Sequence, residues 1–236
     1  MSDLPLTPLS KIPNFDPRHN VSLGTDAQLP AVDRARLMPE ALRQRFRSPP
    51  VWEPEVRNEP RFTDRALAQA AVLVPIVMRG ERGESPTLLL TERSVHLANH
   101  SGQVAFPGGR VDKTDANVEA AALREAQEEV GLSPEYVEVI GLLSNYVTGT
   151  AFVITPVVAL VRPGFSLAPN PAEVADAFEV PLAFLMDPAN HHRHALEWDG
   201  LRREWFSMPY LGEGVERFVW GATAGMLRNL YRFLRA

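Results

Sequence analysis

The stretch Phe106-Pro107-Gly108-Gly109-Arg110-Val111-Asp112-Lys113-Thr114-Asp115, followed by Ala120-Ala121-Ala122-Leu123-Arg124-Glu125-Ala126-Gln127-Glu128-Glu129-Val130-Gly131-Leu132, decides the reading of this chain. Gly108 and Gly109 permit backbone angles and close approaches that a side chain forbids, and Pro107 stiffens the entry. Such a loop can turn backbone N–H groups toward phosphate oxygens. Residues Asn117–Val130 read as a helix that Gly131 stops. Leu123, Ala126 and Val130 form the sector expected to face a sheet. Glu125, Glu128 and Glu129 stand at i, i+3 and i+4, and at about 100° per residue they share another face, outside the core. No Lys or Arg falls among them on that face. Like charges at this spacing cost roughly 0.2–0.5 kcal/mol per pair, so a helix that keeps them is expected to hold a cation. Oxygen-only ligands point to Mg²⁺ or Mn²⁺ rather than zinc. The competing reading is a plain solvated acidic face. Asp112 and Asp115 are turn residues, with Asp115 also a candidate N-cap.

Working outward, the apolar run Ala71–Met78 reads as a buried strand, with Pro75 implying a bulge or an edge. Thr87–Thr91 is a second strand, and Gln103–Phe106 a short third one that ends at the glycines. Downstream, Tyr136–Tyr146 and Phe152–Val161 read as strands, Pro156 again marking a bulge or edge. Pro181–Met186 reads as a short helix, and Arg193–Trp198, Arg203–Met208 and Glu216–Val219 as late strands. Thr223–Leu234 is an amphipathic helix with Met226, Leu227, Leu230, Tyr231 and Leu234 as its apolar stripe. Arg228, Arg232 and Arg235 are expected on its polar side. Strands mixed with two main helices give an α/β sandwich. Ten of the 21 prolines fall in the first 60 residues. Residues 1–68 are therefore expected to form an extension, disordered or wrapping, with one short helix at Pro39–Arg47. Residues 69–236 form the main domain.

Composition narrows the function. A formal net charge of −5 without a long basic run counts against general nucleic-acid binding. Without cysteine there is no disulfide, no thiol catalysis and no Cys-ligated zinc, which fits a reducing, cytoplasmic setting. Met1 to Asp16 lacks a signal-like pattern, and no apolar run reaches the length of a membrane span. His191, His192 and His194 fit no zinc-binding spacing.

The segment from Gly109 to Leu132 resembles the Nudix box, closing with Arg124-Glu125-Ala126-Gln127-Glu128-Glu129-Val130-Gly131-Leu132. The interval from Gly109 to Arg124 is one residue longer than in the general box, with Asp115 in the acidic slot. That spacing resembles the branch of Nudix hydrolases that cleave coenzyme A. The upstream motif of that branch is matched by Leu89-Leu90-Thr91, Arg93-Ser94, Gly102 and Phe106-Pro107-Gly108-Gly109, with Ala98 where the motif has Arg. Phe218-Val219-Trp220-Gly221 is similar to its tail. The resemblance implies a Nudix-type α/β/α sandwich with a mixed central sheet. It implies Mg²⁺ or Mn²⁺ held by Glu125, Glu128 and Glu129, with Arg124 orienting them, and a substrate contacted by Arg93, His100, Gly108 and Gly109. The general base is left open among Glu125, Glu128 and Glu173. The implied reaction is metal-dependent hydrolysis of the diphosphate of coenzyme A and its thioesters to 4′-phosphopantetheine, or its acyl form, and adenosine 3′,5′-bisphosphate. The alternatives are a diphosphatase for ADP-ribose, nucleoside diphosphate-sugars or dinucleotides, a non-catalytic nucleotide sensor on the same fold, and an interaction module led by the arm. The expected partner is a small-molecule diphosphate rather than a nucleic acid or a membrane. A homodimer wrapped by the arm stays open.

Overall fold

The computed structural model of the protein describes residues 7–95 and 102–236. In chain order the elements are β1 (Ser22–Thr25), α1 (Pro39–Arg47), β2 (Ala68–Val77), β3 (Thr87–Arg93), β4 (Val104–Ala105), β5 (Gly108–Arg110), α2 (Val118–Val130), β6 (Val137–Leu142), β7 (Tyr146–Val147), β8 (Phe152–Val161), β9 (Val174–Pro181), α3 (Leu182–Leu185), β10 (His192–Trp198), β11 (Leu201–Gly212), β12 (Val215–Trp220) and α4 (Gly221–Arg235). A mixed sheet runs β4-β3-β2-β8-β6, with β5 added to β2, β7 to β8 and β9 to β3. A second sheet, antiparallel throughout, runs β1-β10-β11-β12.

The central pair of the mixed sheet is β2 and β8, parallel over ten residues from Ala68↔Phe152 to Val77↔Val161. Both strands are covered on both faces, which is why they read as continuous apolar runs. Ala71, Leu73 and Val77 join Val157, Ala159 and Val161 under α2. The alternate residues Val72, Val74 and Ile76, with Val158 and Leu160, face α4, α1 and the second sheet. The α/β sandwich is thus realised with a further sheet backing one side.

Two expectations need correction. Pro75 and Pro156 lie in the two central strands, not at edges. Pro75 falls between the β5 ladder at Ala70–Val72 and the β3 ladder at Ile76–Val77. Pro156 falls between the β7 and β6 ladders. Each occupies a gap where one short neighbour hands over to the next, so its missing N–H breaks no strand pairing. The region Tyr136–Tyr146 divides into a short 3-10 turn, β6 and the start of β7. The described part of the N-terminal extension is folded onto the domain: β1 pairs with β10, and Val32, Leu37 and Leu42 enter the core.

Candidate active site

Helix α2 is delimited as its sequence demands. The Asn117 side chain accepts from Ala120 N at 2.8 Å, and Gly131 closes the helix in the left-handed region at φ 71°. Asp115 is therefore not the N-cap. Its carboxylate instead accepts from Arg124 Nε and Nη2, both at 3.0 Å, and from the backbone of Asp112 at 2.8 Å. The hydrogen bonds from Arg124 hold Asp115 below the usual carboxylate range.

Ala121, Ala122, Ala126 and Val130 make the buried face, with Leu123 packed at its margin. The acidic face does not stay clear of the core. Glu129 is only 4% exposed, and its Oε2 accepts from Gly108 N at 3.1 Å. Nor is the face free of cations: Arg124 Nη1 donates to Glu125 at 2.9 Å and Glu128 at 3.0 Å. An i,i+4 reach and an adjacent one let a single guanidinium span both. Burial pushes Glu129 up to about 7, helped by Glu125 and Glu173 and opposed by Gly108 N and Arg93. Burial also raises Glu125, against the pull of Arg124.

The glycines are required by space. A Cβ on Gly108 would lie 2.4 Å from the Ala71 carbonyl oxygen, and one on Gly109 would lie 2.6 Å from the Glu125 carboxyl carbon. Strand β5 thus passes close against β2 and seats Glu125.

Arg93, at the end of β3, reaches this cluster, with Nη1 3.9 Å from Glu129 Oε1. Its Nε is buried and has no hydrogen-bond partner among the described residues. Glu173 is brought up by a loop tied to α2: Ala168 N donates to Val130 O at 2.9 Å and Asn170 N to Glu129 O at 2.8 Å. Asn170 Nδ2 holds the Glu173 carboxylate at 3.2 Å. His100 and Ala98 lie outside the described residues. The late histidines are elsewhere: His191 contacts Leu185 O and Arg228, and His194 contacts Ser207.

Sequence reasoning missed β9, whose start follows Glu173, and the burial of Arg228. Residues Val174–Pro181 mix Asp176, Ala177 and Glu179 with apolar residues and offer no clean alternation.

Among the described residues, no three Asp, Glu or His groups stand arranged as a ready-made metal cage. The donor set nevertheless fits a hard divalent cation. Three carboxylates share one region, one of them buried with its charge incompletely countered, and Arg124 occupies oxygens that a cation would take over.

A glycine loop lies against a carboxylate-bearing helix on a mixed sheet covered on both faces, and together with the chain's family membership this arrangement is that of a hydrolase acting on diphosphate-containing substrates. The chain belongs to the Nudix family: residues 68–199 match the family described as NUDIX domain. It is 46% identical over 173 residues to the uncharacterized Nudix hydrolase NudL of Salmonella dublin, covering 72% of this chain and 86% of that protein. The Shigella flexneri protein of the same name is 46% identical over 177 residues, 75% of this chain and 86% of its own length. Among solved structures, the M. smegmatis Nudix hydrolase RenU aligns at 26% identity with a TM-score of 0.42, over 50% of this chain and 73% of that one. A C. elegans Ap4A hydrolase binary complex aligns at 20% identity and TM-score 0.42, over 52% and 86%. Enzymes of this family generally use divalent metal ions.

Proposed function

We propose that this enzyme hydrolyses the diphosphate of coenzyme A and its thioesters, releasing 4′-phosphopantetheine, or its acyl form, and adenosine 3′,5′-bisphosphate. The observation that carries this reading is Arg93. It belongs to the upstream segment Leu89–Arg93, yet its guanidinium lies beside Glu129 with a buried Nε that has no hydrogen-bond partner among the described residues. A buried guanidinium N–H without an acceptor is costly, and a phosphate oxygen would satisfy it.

In this reading Glu125, Glu128 and Glu129 hold Mg²⁺ or Mn²⁺. The ion supplies charge neutralisation of the diphosphate and acidification of water. Arg124, anchored on Asp115 and bonded to Glu125 and Glu128, keeps the carboxylates that would hold the ion in orientation. Gly108 N fixes Glu129, and Gly109 leaves room for Glu125. Arg93 binds a phosphate oxygen and orients the diphosphate. Glu173, near Glu125 and Glu129 and held by Asn170, accepts the proton of the attacking water. Catalysis of this kind rests mainly on positioning and charge.

The test is a substrate panel with Mg²⁺ and Mn²⁺, products resolved by mass. Cleavage of coenzyme A to the two named products is expected, and because Arg93 meets the diphosphate that both share, dephospho-coenzyme A should also be cleaved. Efficient turnover of ADP-ribose or a dinucleotide, with coenzyme A untouched, would overturn the substrate and leave the hydrolase chemistry standing.

A further inference from the structure

Strands β3 and β9 pair regularly and antiparallel from Thr87↔Pro181 to Glu92↔Asp176, and there the ladder slips. The next partner of Arg93 is Val174, so Ala175 is the extra residue of a bulge. A bulge of this kind re-aims the side chains that follow it. Just past the slip are the groups the proposed function uses. Arg93 lies toward Glu129, and the carbonyl of Glu173 accepts from Ser94 N at 2.8 Å.

Just before the slip, two carboxylates stand directly opposite each other, Glu92 and Asp176. Like charges in that relation destabilise an antiparallel pair. They are held together by Arg217 of β12, a strand of the other sheet. Its Nη1 donates to Glu92 Oε2 at 2.8 Å and its Nη2 to Asp176 Oδ2, while the guanidinium lies over the Phe178 ring at 4.3 Å. Neighbouring strand residues point to opposite faces, so Glu92 meets the second sheet while Arg93 meets α2. One planar fork therefore grips both strands on the back of a bulge whose front carries Arg93.

We infer that Arg217 is a positioning residue of the diphosphate site, setting the direction of Arg93 through the β3–β9 bulge without touching substrate. The inference rests on the reading above, that Arg93 contacts the diphosphate. The experiment is a double-mutant cycle of Arg217→Met and Arg93→Met. Steady-state kinetics are measured on coenzyme A with Mg²⁺, or on ADP-ribose should the panel favour it, alongside thermal unfolding. Each single variant is expected to raise KM about ten-fold with kcat little changed, as for loss of uniform binding. The double variant is expected to stay within about two-fold of Arg93→Met alone, because residues acting through one another are not additive. Should Arg217→Met fail to fold, Arg217→Lys, which keeps the charge but loses the fork, replaces it in the same cycle. Multiplicative effects, near a hundred-fold in the double variant, would overturn the inference. So would an unchanged KM in the Arg217 variant with only a lowered unfolding temperature. An unchanged KM in Arg93→Met alone would instead sink the reading of Arg93, and the role of Arg217 with it.

Discussion

At the residue scale the acidic face of α2 shows how one carboxylate serves two opposed demands. Glu129 is buried, and burial pushes it up to about 7. A buried carboxylate so perturbed works against the fold in the absence of a cation. Glu129→Gln keeps an acceptor for Gly108 N and removes the charge. We expect kcat to fall on the order of 10³, the scale of losing a preorganised electrostatic group. The unfolding temperature without metal should stay level or rise. A fall in both would mean that the charge is needed for folding, and activity within a few-fold would remove Glu129 from the metal site. Glu173→Gln should cost a factor comparable to Glu129→Gln and remove the acidic limb of the pH–rate profile, since Glu173 accepts the proton, and a loss of only a few-fold would take that role from it. The spacing of Glu125, Glu128 and Glu129 was legible in the sequence because helical geometry alone puts them together. The resemblance already named Arg124 as the group that orients them, but its anchor on Asp115 and the Gly108 N and Arg93 contacts of Glu129 were not legible. That Arg124 bridges two of them while anchored on Asp115, nine residues upstream, depends on how the preceding loop folds back.

At the element scale the most informative contrast lies within β5. The nearest neighbours of a Cβ on Gly108 are the Ala71 carbonyl oxygen and Val72 Cα, backbone atoms that cannot retreat, with the Val72 side chain beside them. The neighbours of a Cβ on Gly109 are the atoms of the Glu125 carboxylate, the end of a flexible side chain. Gly108→Ala should therefore cost stability, roughly 1–3 kcal/mol as for other overpacked sites, measurable by denaturant unfolding. Gly109→Ala should leave the denaturant midpoint nearly unchanged and lower kcat at least about ten-fold by displacing Glu125. The reverse pattern would show that the seat of Glu125 is not what Gly109 provides. Helices α1, α2 and α4 and strands β3 and β8 were readable within a few residues, since caps and apolar periods are local. Strand β9 was not, because its pairing with β3 is set at a separation of about 90 residues, as in Thr87↔Pro181. The prolines of β2 and β8 misled for a related reason: whether a missing N–H matters depends on which neighbour lies beside it.

For the whole molecule, the decisive feature is a charge cluster that no local pattern announces. Arg228 was expected on the polar side of α4, yet its side chain is 1% exposed. It pairs with Asp26 at 2.9 Å and Glu55 at 2.7 Å, and Arg193 of β10 joins both carboxylates. Four charges from the extension, the second sheet and the last helix thus close on one another. Removing one partner strands the rest, so Arg228→Met should destabilise by about 3–5 kcal/mol and expose residues 20–60 to limited proteolysis. A stable, protease-resistant variant would show that packing alone holds the extension. Burial, with the Arg228 charge acting in the same direction, lowers His191 to about 4, so the folded protein keeps it neutral where the unfolded chain binds a proton. That stabilisation is full above about pH 6.5 and is lost as pH falls toward 4. For Asp26 and Glu55 burial acts upward, but the hydrogen bonds and charges of Arg193 and Arg228 outweigh it and hold both low. Their contribution is lost at still lower pH. In the window of His191, Glu129, pushed up to about 7, takes up a proton in the folded state and opposes the His191 loss, so the difference in urea midpoint between the unmutated protein and His191→Gln should shrink as pH falls from about 7.5 to 4. An identical slope in that variant would locate the proton uptake elsewhere.

The cap on α4 bears on how the chain is made. Arg36 donates to the carbonyls of Leu234 and Arg235, and Val56 N to the Asn229 side chain across 173 positions. On a ribosome adding about 5–20 residues per second, roughly ten to forty seconds separate Asp26 from Arg228. Through that interval the contacts of Arg36 and Val56 with α4 cannot form, since that helix has not been synthesised. Proline density and charge then have a use during synthesis: they keep an early segment from settling into a wrong pairing until its late partner arrives.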